Sequence, residues 1–418
     1  MNRLSTIARE AWLLSRDRAA VFWLLIAFLL SSFAVFSGVA EVHNQRSELA
    51  RLIELDAADR NSEFAAQSDW GGAAYYTFHL TYDPPSDLSY AALGQRESSA
   101  WKHRIRMLAL EGQIHETDAP NAELALAGRI DFAFVAAYLA PLLAVFLLYD
   151  LLAGERVAGR MELLSATAAD ARSLWWARAG VRIAALAAML LVPFILGGWL
   201  EGAPGAGMAL ISASVIVHLL FWSGVAMLIG RLPAGPTTIL CALVGGWLLL
   251  AVLVPATGRI LIDRAVPLPS GAEILMAQRE AVNSAWDLPK EETMKPFIAR
   301  HPEWSDYSRI DAGFDWKWYY AFQQVGDQAA EELSAAYTAG RLRRDSAAGI
   351  VAWLSPPGKL ERYLQSLAGT DAKSVIGYEQ SVREFHAELR DFYYPRLFLD
   401  QAFQPAEVAS LPVYIPDE

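Results

Sequence analysis

Cysteine is almost absent from this chain of 418 residues, and the only one is Cys241. A single thiol forms no intramolecular disulfide, so every polar part of the chain must be held by its hydrophobic core. The phosphate-binding loop G-x-x-x-x-G-K-[ST] is absent as well, because the only Gly-Lys pair, Gly358-Lys359, is followed by Leu360. We therefore expect that this chain itself does not hydrolyse ATP.

Motifs of catalytic and metal sites are missing too. The sequence contains no G-x-S-x-G nucleophile elbow and no H-E-x-x-H zinc motif. Four histidines fall in one polar segment, without a cysteine or a tight H-x-x-x-H pair: His43, His79, His103 and His115. Metal capture by these histidines is conceivable but not favoured. The sequence thus predicts no catalytic residue, no metal site and no bound cofactor, and nucleic acid is not an expected partner.

Long hydrophobic runs are what the sequence does contain, and all five lie before Gly258. Each run is uncharged over a length that crosses a hydrocarbon core as a helix, and the second run is 132–149. The predicted spans are residues 19–40, 131–153, 183–200, 207–230 and 237–257. The expected fold is therefore an α-helical polytopic membrane bundle with two polar domains, residues 41–130 and 258–418.

The distribution of charge predicts which side of the membrane each part faces. Residues 41–129 hold 8 Lys+Arg against 14 Asp+Glu, and residues 258–418 hold 17 against 24. The other basic residues lie in 1–18, in 154–182 and at Arg231. By the positive-inside rule, the N-terminus and these connections face the cytoplasm, and both acidic domains lie outside. We expect a multi-pass protein of a bacterial inner membrane, with the lipid bilayer as one partner.

Local patterns give a coarse picture of the parts outside the spans. Residues 1–18 are basic and amphipathic, which is typical of an interfacial helix. Alternation of Tyr76, Phe78, Leu80 and Tyr82 with polar residues predicts a strand, so the first polar domain is expected to be mixed α and β. The second is expected to be mainly helical, since its apolar residues recur at helical spacing as far as Pro395: Ile376, Val382, Phe385, Leu389 and Phe392.

The second polar domain also contains several scattered tryptophans, among them Trp286, Trp304 and Trp353. They are compatible with a platform for carbohydrate or lipid. Burial of aromatic side chains in a sizeable core is the commoner explanation, and we favour it.

The most informative run follows the second span and reads Glu155-Arg156-Val157-Ala158-Gly159-Arg160-Met161-Glu162-Leu163-Leu164-Ser165. It resembles the type-2 permease family of ABC transporters, in which the corresponding stretch reads E-R-x-x-G-T-L-x-L-L-x-S-x-P. Within that family the chain resembles the branch with large extracytoplasmic domains after spans one and five. The likeness extends to residues 128–141, 355–356 and 367–371. It departs from the pattern at Arg160, where Thr is usual, and after Ser165, where no Pro follows.

The resemblance implies a permease subunit, an exporter by expectation, that is energised by a separate cytoplasmic ABC ATPase. That ATPase would bind the ATP and Mg, and a second permease copy or a paralogue would complete the transporter. The run near 155–165 would be the coupling helix, which contacts the ATPase through these residues: Glu155, Arg156, Gly159, Met161, Leu163 and Leu164. The alternative for this run is an ordinary amphipathic loop helix with solvated charges.

A membrane sensor or interaction protein is the alternative function, in which the acidic outer domains bind a ligand and the bundle transmits the response. The cytoplasmic parts expected from the topology are too short for a kinase or another output domain. A membrane-embedded hydrolase is a third alternative, and the sequence has no motif for it.

Three polar residues at membrane depth require an explanation, because such side chains are costly there. Asp131 and Asp150 bracket the second span, so a role at the membrane boundary is expected. His218 lies near the middle of the fourth span. It either lines a substrate path or relays protons, or it hydrogen-bonds a neighbouring helix, and the last role is favoured.

Permeases of the family that this chain resembles usually cross the membrane six times. No run in 258–418 is long enough to be a sixth span, so the sequence predicts five spans and a C-terminus outside. Either the five-span arrangement is natural, with an open side that packs on a partner, or a terminal helix has been lost.

Overall fold

The computed structural model describes residues 3–115, 130–167, 171–310 and 313–416, and the structural statements below refer to these. Gly128 and Arg129, which contribute to the resemblance, lie outside the described residues, as does part of the first predicted polar domain. The described chain is mostly helical and contains one two-stranded sheet.

The elements of the first part of the chain are helices and one hairpin: α1 Arg3–Arg16, α2 Arg18–Ala65, α3 Trp70–Tyr76, β1 His79–Tyr82, β2 Lys102–Ile105, α4 Leu110–His115, α5 Phe132–Val157, α6 Met161–Thr167, α7 Ala171–Glu201, α8 Gly205–Ile229 and α9 Pro236–Ala265. The elements of the second part are helices: α10 Gly271–Ser284, α11 Lys290–Arg300, α12 Trp316–Ala352, α13 Pro356–Leu367 and α14 Ala372–Phe398. Short 3-10 turns lie at Gly94–Glu97, Pro302–Tyr307 and Pro405–Ser410.

Five of the helices, α2, α5, α7, α8 and α9, are long and apolar enough to cross a membrane. Each contains one of the five hydrophobic runs, so the runs form the helices that the sequence predicts. Two of the helices extend well beyond their runs, since α2 continues to Ala65 and α9 to Ala265. We call the five helices together the bundle.

Helix α5 lies at the centre of the bundle, and α9 lies at its edge. In the most apolar stretch of 18 residues, about 67% of the residues of α5 are buried, against 17% of those of α9. Alanines let neighbouring helices approach α5 closely, because a small side chain permits close backbone packing. Ala136, Ala137, Ala140 and Ala144 are all fully buried. The exposed apolar face of α9 is the kind of surface that lipid or another membrane helix covers.

The described residues of 41–115, which include the part of α2 that extends past its hydrophobic run, and those of 266–416 form a second part, which we call the polar body. Its sheet pairs β1 with β2 antiparallel, with His79 opposite Ile105 and Tyr82 opposite Lys102. The predicted strand begins later than the alternation suggests, because Tyr76 ends helix α3. Asp69 caps that helix by accepting a hydrogen bond from the Gly72 amide at 2.7 Å, so the chain stays helical before the strand.

Both polar segments contribute to one hydrophobic core of the polar body. Phe64 and Ile105 from the first segment are fully buried together with Phe297, Phe322 and Phe398 from the second. Helix α14 supplies much of this core and continues through Pro395 to Phe398, so the expectation that it stops at Pro395 was wrong. Pro395 stands in the last turn of α14 and has no N–H for the carbonyl of Asp391, so that turn lacks one helical hydrogen bond.

Two of the contacts between the polar body and the bundle bury large side chains in the core of the bundle. In the first, Tyr90 is fully buried and donates a hydrogen bond to the carbonyl of Phe194 at 2.9 Å. A Cβ atom on Gly38 of α2 would lie 1.9 Å from the Tyr90 carbonyl oxygen, so this contact requires glycine. In the second, helix α13 buries Leu360 and Leu364 in the core of the bundle.

Candidate functional site

The run that resembles a coupling helix lies at the α1 end of the bundle, where α5 ends and α6 begins. Glu155, in the last turn of α5, accepts hydrogen bonds from Arg160 at 2.6 Å and from Arg178 of α7 at 3.2 Å. Arg178 also donates to Glu10 of α1 at 3.0 Å. We call Glu10, Glu155, Arg160 and Arg178 the Glu155 cluster. It joins α1, α5 and α7 through charged hydrogen bonds, which are the stronger kind.

Glu10 is the most enclosed member of the cluster, with 6% of its side chain exposed. It shares one face of α1 with Leu14, four residues later, and both are buried. Desolvation of a carboxylate is costly unless a cation is beside it, and Arg178 supplies that cation. Sequence reasoning did not select Glu10 or Arg178 as site residues. A carboxylate on the buried face of an amphipathic helix is the feature that indicates such a partner.

Two further arginines attach the neighbouring elements. Arg156 donates to the carbonyls of Leu232 at 2.7 Å and of Gly230 at 3.1 Å, where α8 ends. A cation at this position complements the unpaired carbonyls of a helix C-terminus. Arg182 of α7 reaches Asp17, at the start of α2, at 3.1 Å. The ends of α2, α5, α7 and α8 are therefore connected at or near this site.

Gly159 makes the sharp turn between α5 and α6. Its φ of +69° lies in the left-handed region, and no atom would contact a Cβ added there. The Gly159 amide bonds to the carbonyl of Arg156, and the Arg160 amide bonds to that of Glu155. This is the usual way in which glycine ends a helix. Glycine is therefore needed here for the left-handed conformation of the turn, and no other part of the described chain covers its backbone on the outer side.

The predicted coupling residues divide into an inward set and an outward set. Glu155 and Arg156 are engaged within the chain, and Met161 and Leu164 pack against the bundle core. Leu163 points outward with 64% of its side chain exposed, and Val157, which sequence reasoning did not select, is 70% exposed. Glu162 and Arg160 are also exposed. We call this surface the 157–163 segment. Contact of any of these residues with an ATPase stays a prediction.

His218, the polar residue near the middle of the fourth predicted span, has a local partner. His218 Nε2 lies 3.1 Å from the carbonyl oxygen of Ala137, a residue of the π-helical turn Val135–Leu139 of α5. Pro141, four residues after Ala137, has no N–H to offer that carbonyl. A neutral imidazole that donates from Nε2 replaces the missing donor. The role of His218 in a substrate path or proton relay is not tested by this geometry.

The two aspartates that bracket the second span differ in their surroundings. Asp131 caps the start of α5 by accepting from the amide of Phe134 at 2.8 Å. Its other oxygen accepts from the amide of Leu93 in the polar body at 2.9 Å. Asp150 lies against Gly154, where a Cβ would come within 2.4 Å of its carboxylate. Asp131 thus links the bundle to the polar body.

The geometry defines the class of this protein: a mostly helical chain with five helices that are long and apolar enough to cross a membrane, and a helical polar body. Residues 272–417 match a family described as a domain of unknown function, DUF3526. The match covers the polar body from α10 to the C-terminal stretch and leaves out the bundle. No curated protein and no solved structure matches the chain.

Proposed function

We propose that the chain is the membrane permease subunit of an ATP-driven ABC transporter of the type-2 class, and that it acts as an exporter. A separate cytoplasmic ATPase binds ATP and Mg and energises transport. The observation that carries this proposal is the 157–163 segment, a short exposed surface fixed to the bundle through the Glu155 cluster. The resemblance of the run that includes it to the coupling stretch of type-2 permeases supports the same function.

The Glu155 cluster suits a part that transmits force. A partner that pushes on Leu163 and Val157 moves the turn at Gly159. The amides of Gly159 and Arg160 are hydrogen-bonded to carbonyls in the last turn of α5, so α5 moves with the turn. Because Arg178 connects Glu155 to α7 and α1, the displacement reaches three elements without a flexible joint. Packed helices change arrangement as bodies, so a small shift at this end is able to alter the whole bundle.

In this proposal the α1 end of the bundle faces the cytoplasm and the polar body faces the outside. The basic residues near the α1 end and the acidic balance of the polar segments support that orientation. Two permease chains, identical or related, pair in the membrane, and each places its 157–163 segment on one ATPase copy. The apolar face of α9, which is mostly exposed, is one surface available for lipid or for that pairing.

Co-purification with an ATPase tests the proposal. The chain is expressed with the product of a neighbouring gene that encodes a Walker-motif ATPase, and the membrane complex is isolated in nanodiscs. We expect ATP hydrolysis by the complex and none by the chain alone. Hydrolysis by the chain alone, or failure of every such ATPase to bind it, contradicts the proposal.

A membrane sensor is the second candidate, and one observation favours it. The polar body contains a cavity of about 1240 Å³ that is lined by both polar segments. A sensor would bind a ligand there and would act without an ATPase. The same co-purification separates the two functions, because a sensor is expected to bind a signalling partner instead of a nucleotide-hydrolysing one.

A further inference from the structure

One face of the hairpin β1–β2 packs into the core of the polar body, and the other face borders the cavity. His79, Thr81 and Ile105 lie on the buried face. On the opposite face, Leu80 of β1 pairs with Arg104 of β2. Leu80 and Arg104 both line the cavity, and Leu80 is only half-buried. The cavity therefore has an apolar row beside a basic row, one from each strand.

The basic row consists of Lys102, Arg104 and Arg106, which follow one another at the period of a strand. Lys102 pairs with Glu48 and Arg104 pairs with Asp59, both on α2. Arg106 differs, because no carboxylate of the described residues forms an ion pair with it; its guanidinium donates to the Tyr75 carbonyl at 3.4 Å.

Aromatic rings also hold these cations in place, and Arg106 is the one whose charge no carboxylate of the described residues neutralises. The Arg104 guanidinium lies 4.4 Å from the ring centre of Phe78, and that of Arg106 lies 4.9 Å from the same ring. Lys102 lies 4.7 Å from the ring centre of Trp101. Such contacts fix the direction of a positive charge and leave it able to attract an anion. Among the described lining residues, six are basic and three are acidic.

The apolar part of the lining extends along α2 toward the bundle. Leu52 of α2 and Leu80 and Phe78 of the hairpin are half-buried and line the cavity together. At the far end the lining includes Glu41 and Gln45. One residue further along α2, Arg46 pairs with Glu201, the last residue of α7, at 2.8 Å. The cavity thus runs from the level at which α7 ends to the basic row.

We propose that this cavity binds an anionic lipid, with its acyl chain along Leu52, Leu80 and Phe78 and its acidic headgroup at Arg104 and Arg106. A free phosphate would leave the apolar row without a contact, and a neutral lipid would leave the basic row without an anion. The cavity begins beside Glu201, where a helix long and apolar enough to cross a membrane ends, and this position favours a ligand from the bilayer. The site requires only that the bundle lies in a membrane, so it does not depend on the permease proposal.

Photo-crosslinking in nanodiscs tests the site on the full chain. Leu80 is replaced by p-benzoylphenylalanine, and the nanodiscs contain phosphatidylcholine with a minor fraction of phosphatidylglycerol. Mass spectrometry of the irradiated protein then gives the lipid adducts. We expect phosphatidylglycerol adducts well above that lipid's share of the bilayer. The same probe at Tyr307, an exposed residue of the polar body that does not line the cavity, is expected to give no such enrichment.

Arg106→Gln in the Leu80 probe background should lower the phosphatidylglycerol adducts about tenfold, the usual effect of losing one charged hydrogen bond. Arg300→Gln is the matched control, since Arg300 is exposed on the polar body and pairs with Glu331 away from the cavity. It should leave the adducts unchanged. Gel filtration of each variant checks folding, and a probe at Leu52 replaces the one at Leu80 if that variant is aggregated.

Three results would overturn the site. Adducts in proportion to the bulk lipids would show a probe that merely touches the bilayer. Adducts that are unaffected by Arg106→Gln would show that the basic row does not bind the headgroup. Full competition by glycerol 3-phosphate at millimolar concentration would show a site for a free phosphate. None of these outcomes involves an ATPase, so failure here is distinct from failure of the permease proposal.

Discussion

Arg178 and Glu10 form an ion pair between helices that are 168 residues apart in sequence, with Nε of Arg178 donating to Oε2 of Glu10 at 3.0 Å. Both side chains are largely enclosed, at 16% and 6% exposed. Arg178 also forms an ion pair with Glu155. The two ion pairs therefore attach α1 to the end of α5, which leads into the 157–163 segment. Helix α1 is thereby part of the proposed coupling apparatus.

Glu10→Gln should loosen α1 from the bundle. The substitution removes one of the two carboxylates that pair with Arg178, and the breaking of an enclosed pair costs about 1–3 kcal/mol. We expect faster proteolysis within residues 1–17 and a lower thermal midpoint in detergent. Glu162→Gln changes an exposed carboxylate on the same side of the bundle and should have little effect. Equal proteolysis of both variants would remove the structural role given to Glu10.

Alanine substitutions at Gly159 and Gly180 should have opposite effects on stability. Neither glycine has an atom within 4 Å of an added Cβ, but only Gly159 has a positive φ. Gly159→Ala therefore costs about 1–2 kcal/mol of left-handed strain. Gly180→Ala, inside α7, should instead stabilise by about 0.5–1 kcal/mol. Thermal unfolding of the two variants measures both signs, and Gly159→Asn should recover part of the loss because Asn tolerates this conformation.

The hydrogen bond from His218 to Ala137 predicts a coupled pair of substitutions. His218→Leu leaves the Ala137 carbonyl without its donor and should cost about 1 kcal/mol, the scale measured for such bonds in membranes. Pro141→Ala restores a backbone N–H four residues after Ala137, so it should lower that cost in the double variant. A double-mutant cycle on unfolding free energies in detergent measures the coupling. Simple additivity would show that the two residues act independently.

The stability of the polar body should depend on pH in two opposite ways. Burial lowers the pKa of His79 and of His386 to about 3. Unfolded histidine binds its proton near pH 6.5, so stability should be lost as pH falls from about 6.5 toward 3. Burial raises the pKa of Asp327 to about 7 although it accepts two backbone hydrogen bonds. Its contribution should therefore be lost as pH rises from about 4 to 7.

Single variants separate these two trends in thermal unfolding measured from pH 4 to 8. His79→Leu should reduce the loss of stability on the acid side, because it removes one group that the unfolded chain protonates. Asp327→Asn should flatten the loss between pH 4 and 7, although it alters the hydrogen bonds to Leu110 and Glu111. Profiles that keep the shape of the unmodified chain would show that other groups set the dependence.

The bundle was predictable from the sequence because each helix is specified by its own uncharged run, such as 207–230, without reference to other parts of the chain. The strand near residue 80 was also predictable, but its start was not. Asp69 caps the helix that ends at Tyr76. An aspartate can make the same local hydrogen bond to the backbone in a loop, so the sequence does not show that a helix begins there.

Contacts between distant residues were beyond the sequence. Nothing local indicates that Phe64 shares a core with Phe398, or that Glu10 faces Arg178, because these pairs are formed by the packing of long helices. The candidate coupling residues were chosen from a linear pattern. The pattern located the run, but the division into inward Glu155 and outward Leu163 depends on where the turn at Gly159 directs the chain.

Cysteine crosslinking tests whether an ATPase binds the 157–163 segment. In a Cys241→Ala background, single cysteines replace Leu163, Arg231 and Leu288, which lie on the segment, on the turn after α8 and on the polar body. A short bifunctional reagent is applied to membranes that contain the co-expressed ATPase. We expect a strong crosslink from Leu163→Cys that changes when ATP is added, a weaker one or none from Arg231→Cys, and none from Leu288→Cys. No crosslink from Leu163→Cys to an ATPase that co-purifies with the chain, or an equal one from Leu288→Cys, would contradict it.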